Sequence, residues 1–314
     1  MGGRFMRVLI AAIALIVSPM ASPAFAQAAD IPRTTDGKPD FHGYWFSGFL
    51  TPMERPDKIA TLAVGPEDEA RIIALTKEEL KESEVYDPEF DTTATANVLL
   101  EMNGEKRSSL IVEPADGKLP LTALAQAALK QDEEGFDNPE DRPTAERCMD
   151  SLVNAPLAAS WLLIPIQFML TPDALVMRIE DLDPVRIVSL SDAPRPDALR
   201  TRGGQSRGRW EGDTLVVETD SFAIRSRQGL TWSGGAFITA DSKVIERFSL
   251  LGTNALLYQF TVEDPSLYAR PWRAEYVLTR IARPVYEYAC HEGNHALIHI
   301  LTAARLGKQE EAAD

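Results

Sequence analysis

A chain of 314 residues with 47 acidic and 32 basic side chains and a net charge of −15 repels polyanions, which excludes nucleic acid as a partner. After the first 26 residues no apolar run reaches the roughly 20 residues that a membrane helix needs, so no span is expected once those residues are removed. The charge is uneven: residues 27–150 carry 27 acidic and 13 basic side chains, whereas residues 151–314 carry 20 and 17.

The chain starts like a secretory signal, with Arg4 and Arg7 as the positive start, an apolar core over 8–17 and Ala24-Phe25-Ala26 as a small-residue cleavage site. Residues 1–26 are therefore set apart as a signal peptide, and the mature protein is expected to be periplasmic or secreted. Residues 27–150 then read as an acidic segment holding a first barrel strand, helices and a linker, with the barrel and a C-terminal helix in 151–314. Thr35-Asp36-Gly37-Lys38-Pro39-Asp40 is turn chemistry, and Phe41-His42-Gly43-Tyr44-Trp45-Phe46 is an aromatic strand of the kind that plugs the closed end of a barrel. The segment 67–80 predicts a helix with acids in its first turn and Ile72, Ile73 and Leu75 as its apolar residues. Short strands are expected in 97–102 and 109–113, with a turn at Asn103-Gly104. An alanine-rich helix over 121–130 leads to an acidic, proline-punctuated linker over 132–147.

Strand runs over 166–171, 174–181 and 185–190 are joined by Thr171-Pro172-Asp173 and Leu182-Asp183-Pro184, which makes a meander. A long loop rich in Pro, Arg and Gly occupies 191–205. The hairpin 206–220 follows across Gly212-Asp213, and its period of two places Arg207, Arg209 and Glu211 on one face and Gly208 and Trp210 on the other. Strands over 243–251, 255–263 and 272–281 complete the set, and a helix over 294–306 shows the stripe Leu297, Ile300, Leu301, Ala304. Roughly eight antiparallel strands without crossover helices predict a mainly β fold: an antiparallel, lipocalin-like β-barrel with a helical N-terminal insertion and a C-terminal helix.

Several blocks resemble a family of exported, uncharacterised bacterial proteins. They are Asp36-Gly37-Lys38-Pro39-Asp40 leading to Gly43-Tyr44-Trp45, Arg147-Cys148, Gly208 to Val217, Glu246-Arg247-Phe248, Thr261 to Pro265, Arg270-Pro271-Trp272 and Tyr286 to Asn294. The resemblance covers most of the chain after residue 26 and implies no activity. The family carries histidines in the loop before the hairpin, where this chain has Arg195 and Gln205, and a tyrosine where it has His295.

Cys148 and Cys290 are the only cysteines, and an even count in an exported chain favours a disulfide. His291-Glu292-Gly293-Asn294-His295 spells the zinc-protease pattern H-E-x-x-H, but Gly293 and Asn294 suit a helix start rather than the helical turn that two zinc-binding histidines share. No metal and no cofactor is expected. His291 and Glu292 remain candidates for metal-independent acid–base chemistry beside the disulfide. Arg207, Arg209 and Arg247, with Trp210 and the loop residue Arg195, are the candidate ligand-binding residues. If the three strand arginines point inward, their guanidinium groups would line a cavity for a carboxylate, phenolate or sugar; outward placement on a solvated face is the default. The functional expectation is a barrel that binds or transforms a small organic ligand, with a hydrolase or lyase and a structural cell-envelope interaction module as alternatives; the oligomeric state stays open.

Overall fold

The computed structural model describes residues 31–82, 97–131, 148, 155–157, 159, 164–180, 185–191, 200–223, 226–231 and 234–311. The signal-like segment, the linker over 132–147, the 182–184 turn and Arg195 lie outside these residues.

In chain order the elements are β1 (Gly43–Phe46), β2 (Ala63–Val64), α1 (Pro66–Glu82), β3 (Glu101–Met102), β4 (Glu105–Arg107), β5 (Ile111–Glu113), α2 (Ala123–Gln131), β6 (Ile166–Leu170), β7 (Ala174–Ile179), β8 (Val185–Ser189), β9 (Gln205–Glu211), β10 (Thr214–Asp220), β11 (Ser226–Thr231), β12 (Gly234–Ile238), β13 (Lys243–Leu250), β14 (Ala255–Glu263), β15 (Trp272–Ile281) and α3 (Ala296–Glu311). Strands β1, β6–β10 and β13–β15 form one sheet that closes on itself, because β1 pairs with β6 on one side and with β15 on the other. Closure removes the exposed edges that an open sheet would have to protect. The short β5 adds to β15, opposite Arg273 and Ala274.

The expected barrel is therefore present, with one correction to its topology. Strand β8 runs parallel to β9, with Val188 opposite Ser206 and Ser189 opposite Arg207, so the barrel is mixed rather than purely antiparallel. The physical reason lies in the loop after β8. A tight turn would have reversed the chain, but β8 ends at Ser189 and β9 begins only at Gln205, a separation long enough for a parallel return. The β11–β12 hairpin was also not expected from the sequence. At Asn103-Gly104 the turn forms as expected, both residues taking positive φ, but it joins β3 to β4 rather than to the strand at 111–113.

Period-two alternation fills the interior. Val244, Glu246, Phe248 and Leu250 of β13, Tyr258 and Phe260 of β14, and Trp272, Tyr276 and Leu278 of β15 are all buried. Phe248 lies edge-on to Phe168, with ring centres 6.0 Å apart, and Tyr258 lies 5.0 Å from both Phe248 and Tyr276. Full burial of each such ring contributes about 1.5–3 kcal/mol.

Trp45 of β1 is packed on the inner side of the wall, opposite Arg280 and Ile166. Its ring is fully buried, its Nε1 donates to the Phe41 carbonyl at 2.9 Å, and the Arg280 guanidinium stacks 4.3 Å from its centre. Arg280 is held in turn by the Thr253 and His42 carbonyls. Gly43 takes φ 125° beside it, and a Cβ there would strike the guanidinium.

Helix α1 packs Ile72 and, in part, Ile73 against Leu50, Ile59 and Leu99. Leu75 is left exposed while Thr76 is buried, because residues 72 and 76 share a helix face and residue 75 does not. On α3, Leu301 is buried and Leu297, Ile300 and Ala304 are half-buried, so the stripe read from the sequence is the packed face.

Candidate functional site

The arginines singled out on the strands lie on the outer wall. Arg207, Arg209 and Arg247 are exposed or half-exposed, with Gly208 and Trp210 facing the other way as the alternation requires. Arg209 donates to Glu218 at 2.6 Å and to Glu211 at 2.9 Å, and Arg247 donates to Glu211 at 3.0 Å. Lys243 adds a pair with Glu218 at 3.2 Å. Hydrogen bonds from Arg247 and Arg209 hold the Glu211 carboxyl below its usual range, and those from Arg209 and Lys243 do the same for Glu218. The condition for an inward guanidinium lining is not met by these three residues.

A guanidinium does point inward, and it belongs to Arg186 of β8. The burial of β8 inverts the usual order: Val185 and Ile187 are 55% and 62% exposed, while Arg186 and Val188 face the interior at 6% and 0%. Arg186 donates through Nη1 to Glu246 Oε1 at 2.9 Å, through Nη2 to Glu246 Oε2, through Nε to Ser206 Oγ at 3.0 Å and through Nη2 to Thr219 Oγ1 at 3.0 Å. The pairing with Glu246 is the two-pronged one that a planar guanidinium favours. Tyr258 Oη donates to Glu246 Oε1 at 2.8 Å and accepts the Leu157 backbone N–H at 2.7 Å, and Tyr276 Oη donates to the Leu157 carbonyl at 2.8 Å. Five neighbouring strands, β8, β9, β10, β13 and β14, thus converge polar side chains on one point inside the barrel.

The electrostatics follow from the burial. Loss of water works against the Arg186 charge, but the Glu246 carboxylate beside it more than compensates and raises its pKa above the usual value. Burial, reinforced by the Glu246 charge, pushes both the Tyr258 and the Tyr276 phenol well above 10, so both remain neutral donors. The cluster can hold a fixed positive fork, a carboxylate and two neutral phenols in a medium where each interacts more strongly than in water.

The C-terminal candidates stand elsewhere. Cys148 and Cys290 are at disulfide distance, with Cα atoms 5.8 Å apart. His291 and Glu292 are exposed in the turn before α3. That segment is tied to the barrel wall at Glu180, which accepts from the Tyr286 backbone N–H at 2.7 Å and pairs with Arg283. Gly293 takes φ 72° and α3 begins only at Ala296, so His291 and His295 do not lie on one helical turn. Among the described residues no group of three or more metal-binding side chains is assembled.

Arg186, Tyr258 and Tyr276 were missed in the sequence. Glu246 carried a usable signal: in Lys243–Leu250 it shares its period-two face with Val244, Phe248 and Leu250, so a carboxylate is written into an apolar face. Arg186 carried none, since β8 has apolar residues on both faces. The chain matches no known protein family, no curated protein and no solved structure.

Proposed function

We propose that this is an exported small-molecule barrel that binds a small organic ligand, anionic or phenolic, at the inner cluster of Arg186, Glu246, Tyr258 and Tyr276. The observation that carries the reading is the desolvated Arg186–Glu246 pair. A barrel that needed only to be packed would do as well or better with apolar side chains there, since a buried ion pair adds little net stability over a hydrophobic replacement. Charged and polar groups held in a dry interior are, by contrast, what a binding site needs to recognise a polar head within an otherwise apolar enclosure. The two phenols bond the N–H and the carbonyl of one residue, Leu157, and a ligand's polar head would compete for that hydrogen-bonding capacity.

The test is a thermal-shift screen of the purified protein against aromatic carboxylates and phenols, repeated on the double variant Arg186→Met/Glu246→Leu. A ligand of the native state raises the midpoint by mass action. At least one compound is expected to do so with the native chain and to lose its effect in the folded double variant. A screen without a shift, or a shift that the double variant retains, would overturn the reading.

A further inference from the structure

A second feature of the barrel owes nothing to the inner cluster. Residues 32–40 form a small arch over the end marked by the β6–β7 and β9–β10 turns. The arch is closed by Arg33 pairing with Pro39, by Thr34 N–H donating to the Lys38 carbonyl at 2.9 Å and by Asp40 N–H donating to the Pro32 carbonyl at 2.8 Å. It is pinned at two points. Arg33 makes a two-pronged pair with Asp213 at 2.9 and 2.7 Å, and Phe41 stacks on Trp210 with ring centres 5.6 Å apart. Between the arch, Trp210 and the Thr171-Pro172 turn lies a cavity of about 420 Å³. That volume falls in the range of small-ligand sites, and an arch fixed at both points leaves little ordering to be done on binding.

The charged side chains that line the cavity sum to zero, Arg33 and Lys38 against Asp36 and Asp40; Asp213, which pairs with Arg33, lies outside that lining. Neither a free anion nor a free cation is favoured by the sum. What the lining offers is an indole with a mixed set of donors and acceptors around it. The Lys38 ammonium stands 5.5 Å from the Trp210 ring centre. The Asp36 carboxylate is held by Thr34 Oγ1 at 2.5 Å, and His42 bonds Asp40 through Nδ1 at 2.7 Å, which leaves Nε2 as the ring's other polar atom. A ligand whose own groups each donate and accept, on a ring with apolar faces, matches such a set. From this geometry we infer that the cleft between the 32–40 arch and Trp210 is a binding site for a neutral saccharide unit.

The experiment follows the indole N–H signals of ¹⁵N-labelled protein during titration with cellobiose and maltose, with glucuronate and glucosamine as charged counterparts. Five tryptophans give few enough signals for Trp210→Phe to identify the one from Trp210. At least one neutral disaccharide is expected to move that signal to saturation. Asp36→Ala or Lys38→Ala should weaken binding about fivefold, the loss of one ordinary hydrogen bond, without moving the thermal midpoint. Arg186→Met/Glu246→Leu should leave the titration unchanged, so failure of the inner-cluster reading and failure of this one are separate results. The inference is overturned if neither disaccharide moves the signal at roughly 50 mM, well past a millimolar Kd. It is equally overturned if only glucuronate or only glucosamine binds, or if both alanine variants bind as the native chain does.

Discussion

On the outer face of the wall formed by β9, β10 and β13, Arg209, Glu211, Glu218, Lys243 and Arg247 make an open ladder of ion pairs, whereas on its inner face Glu246 meets Arg186 out of reach of water. The residue types are the same and the backbone geometry is the same. What differs is the medium. Outside, each charge keeps most of its hydration and a lost partner is replaced by water and salt. Inside, each charge has given up its hydration and depends on named partners, so the loss of one strands the others. Mutations of equal chemistry should therefore give unequal results on the two faces.

The largest difference is expected for Glu246→Ala. It takes the Glu246 carboxylate away from the Arg186 guanidinium, buried beside Ser206 and Thr219, and removal of one partner from a buried pair costs about 3–5 kcal/mol. The double variant Arg186→Met/Glu246→Leu removes both members of the pair, the Ser206 and Thr219 hydroxyls still bond each other at 2.9 Å, and most of that loss should be recovered. Urea denaturation of the single and double variants decides the point; a double variant no more stable than Glu246→Ala would contradict it.

Alkaline pH separates the faces next. Burial raises the folded-state pKa of Tyr258 and Tyr276 above the ordinary value of 10. Their contribution is fully present below the unfolded-state pKa and declines as pH rises above it, because the unfolded chain releases protons that the folded one retains. Stability should fall from about pH 10 upward by about 1.4 kcal/mol per pH unit for each buried phenol. The outer carboxylates have the opposite sign: Glu211 and Glu218 titrate below their usual range, so what they contribute is present above it and lost as pH falls through their folded-state values. Denaturation midpoints followed from pH 8 to 11 would refute the inner assignment if they stayed flat in the native chain.

How much of this was legible depends on where the alternation was clean. The strands Lys243–Leu250, Ala255–Glu263 and Trp272–Ile281 were readable to within a residue because each has one mostly apolar face and one more polar face, despite interruptions such as Ile245, Leu257 and Val277, and because turn residues bound them at Gly252-Thr253-Asn254 and Asp264-Pro265. The pattern also sets Glu246 on a face otherwise taken by Val244, Phe248 and Leu250. Strand Val185–Ser189 gave no such contrast: Val185, Ile187 and Val188 put apolar side chains on both faces, and only the closed barrel decides that Arg186 turns inward. Its parallel pairing with β9 was likewise invisible, since turn residues predict where a chain reverses but a long loop does not say which end it returns to. The hairpin arginines share one face, as their period of two predicts, and that face is the solvated one. Trp210 lay opposite them, as read, and lines the cleft under the 32–40 arch.

A finer probe of the inner face is Tyr258→Phe. The hydroxyl serves two buried groups at once, giving a hydrogen bond to Glu246 and taking one from the Leu157 backbone. Its removal leaves a buried N–H without that acceptor while the ring still fills its space, so the loss should be about 1–3 kcal/mol with no cavity contribution. Tyr276→Phe removes only the bond to the Leu157 carbonyl and should cost less. Equal thermal midpoints for the two variants would contradict the double role assigned to Tyr258.

The smallest effect is expected on the outer ladder. Arg209→Ala removes two ion pairs made through three hydrogen bonds to two carboxylates, against the two hydrogen bonds that Tyr258→Phe loses. Glu218 nevertheless retains Lys243, and Glu211 retains Arg247, while water takes the vacated positions. The thermal midpoint should move by no more than about 2 °C, and by less still as salt is raised toward 1 M, because screening has already removed most of what the exposed pairs supply. A fall as large as that of Tyr258→Phe, persisting at high salt, would mean that the outer wall is not solvated in the native assembly and that another surface covers it.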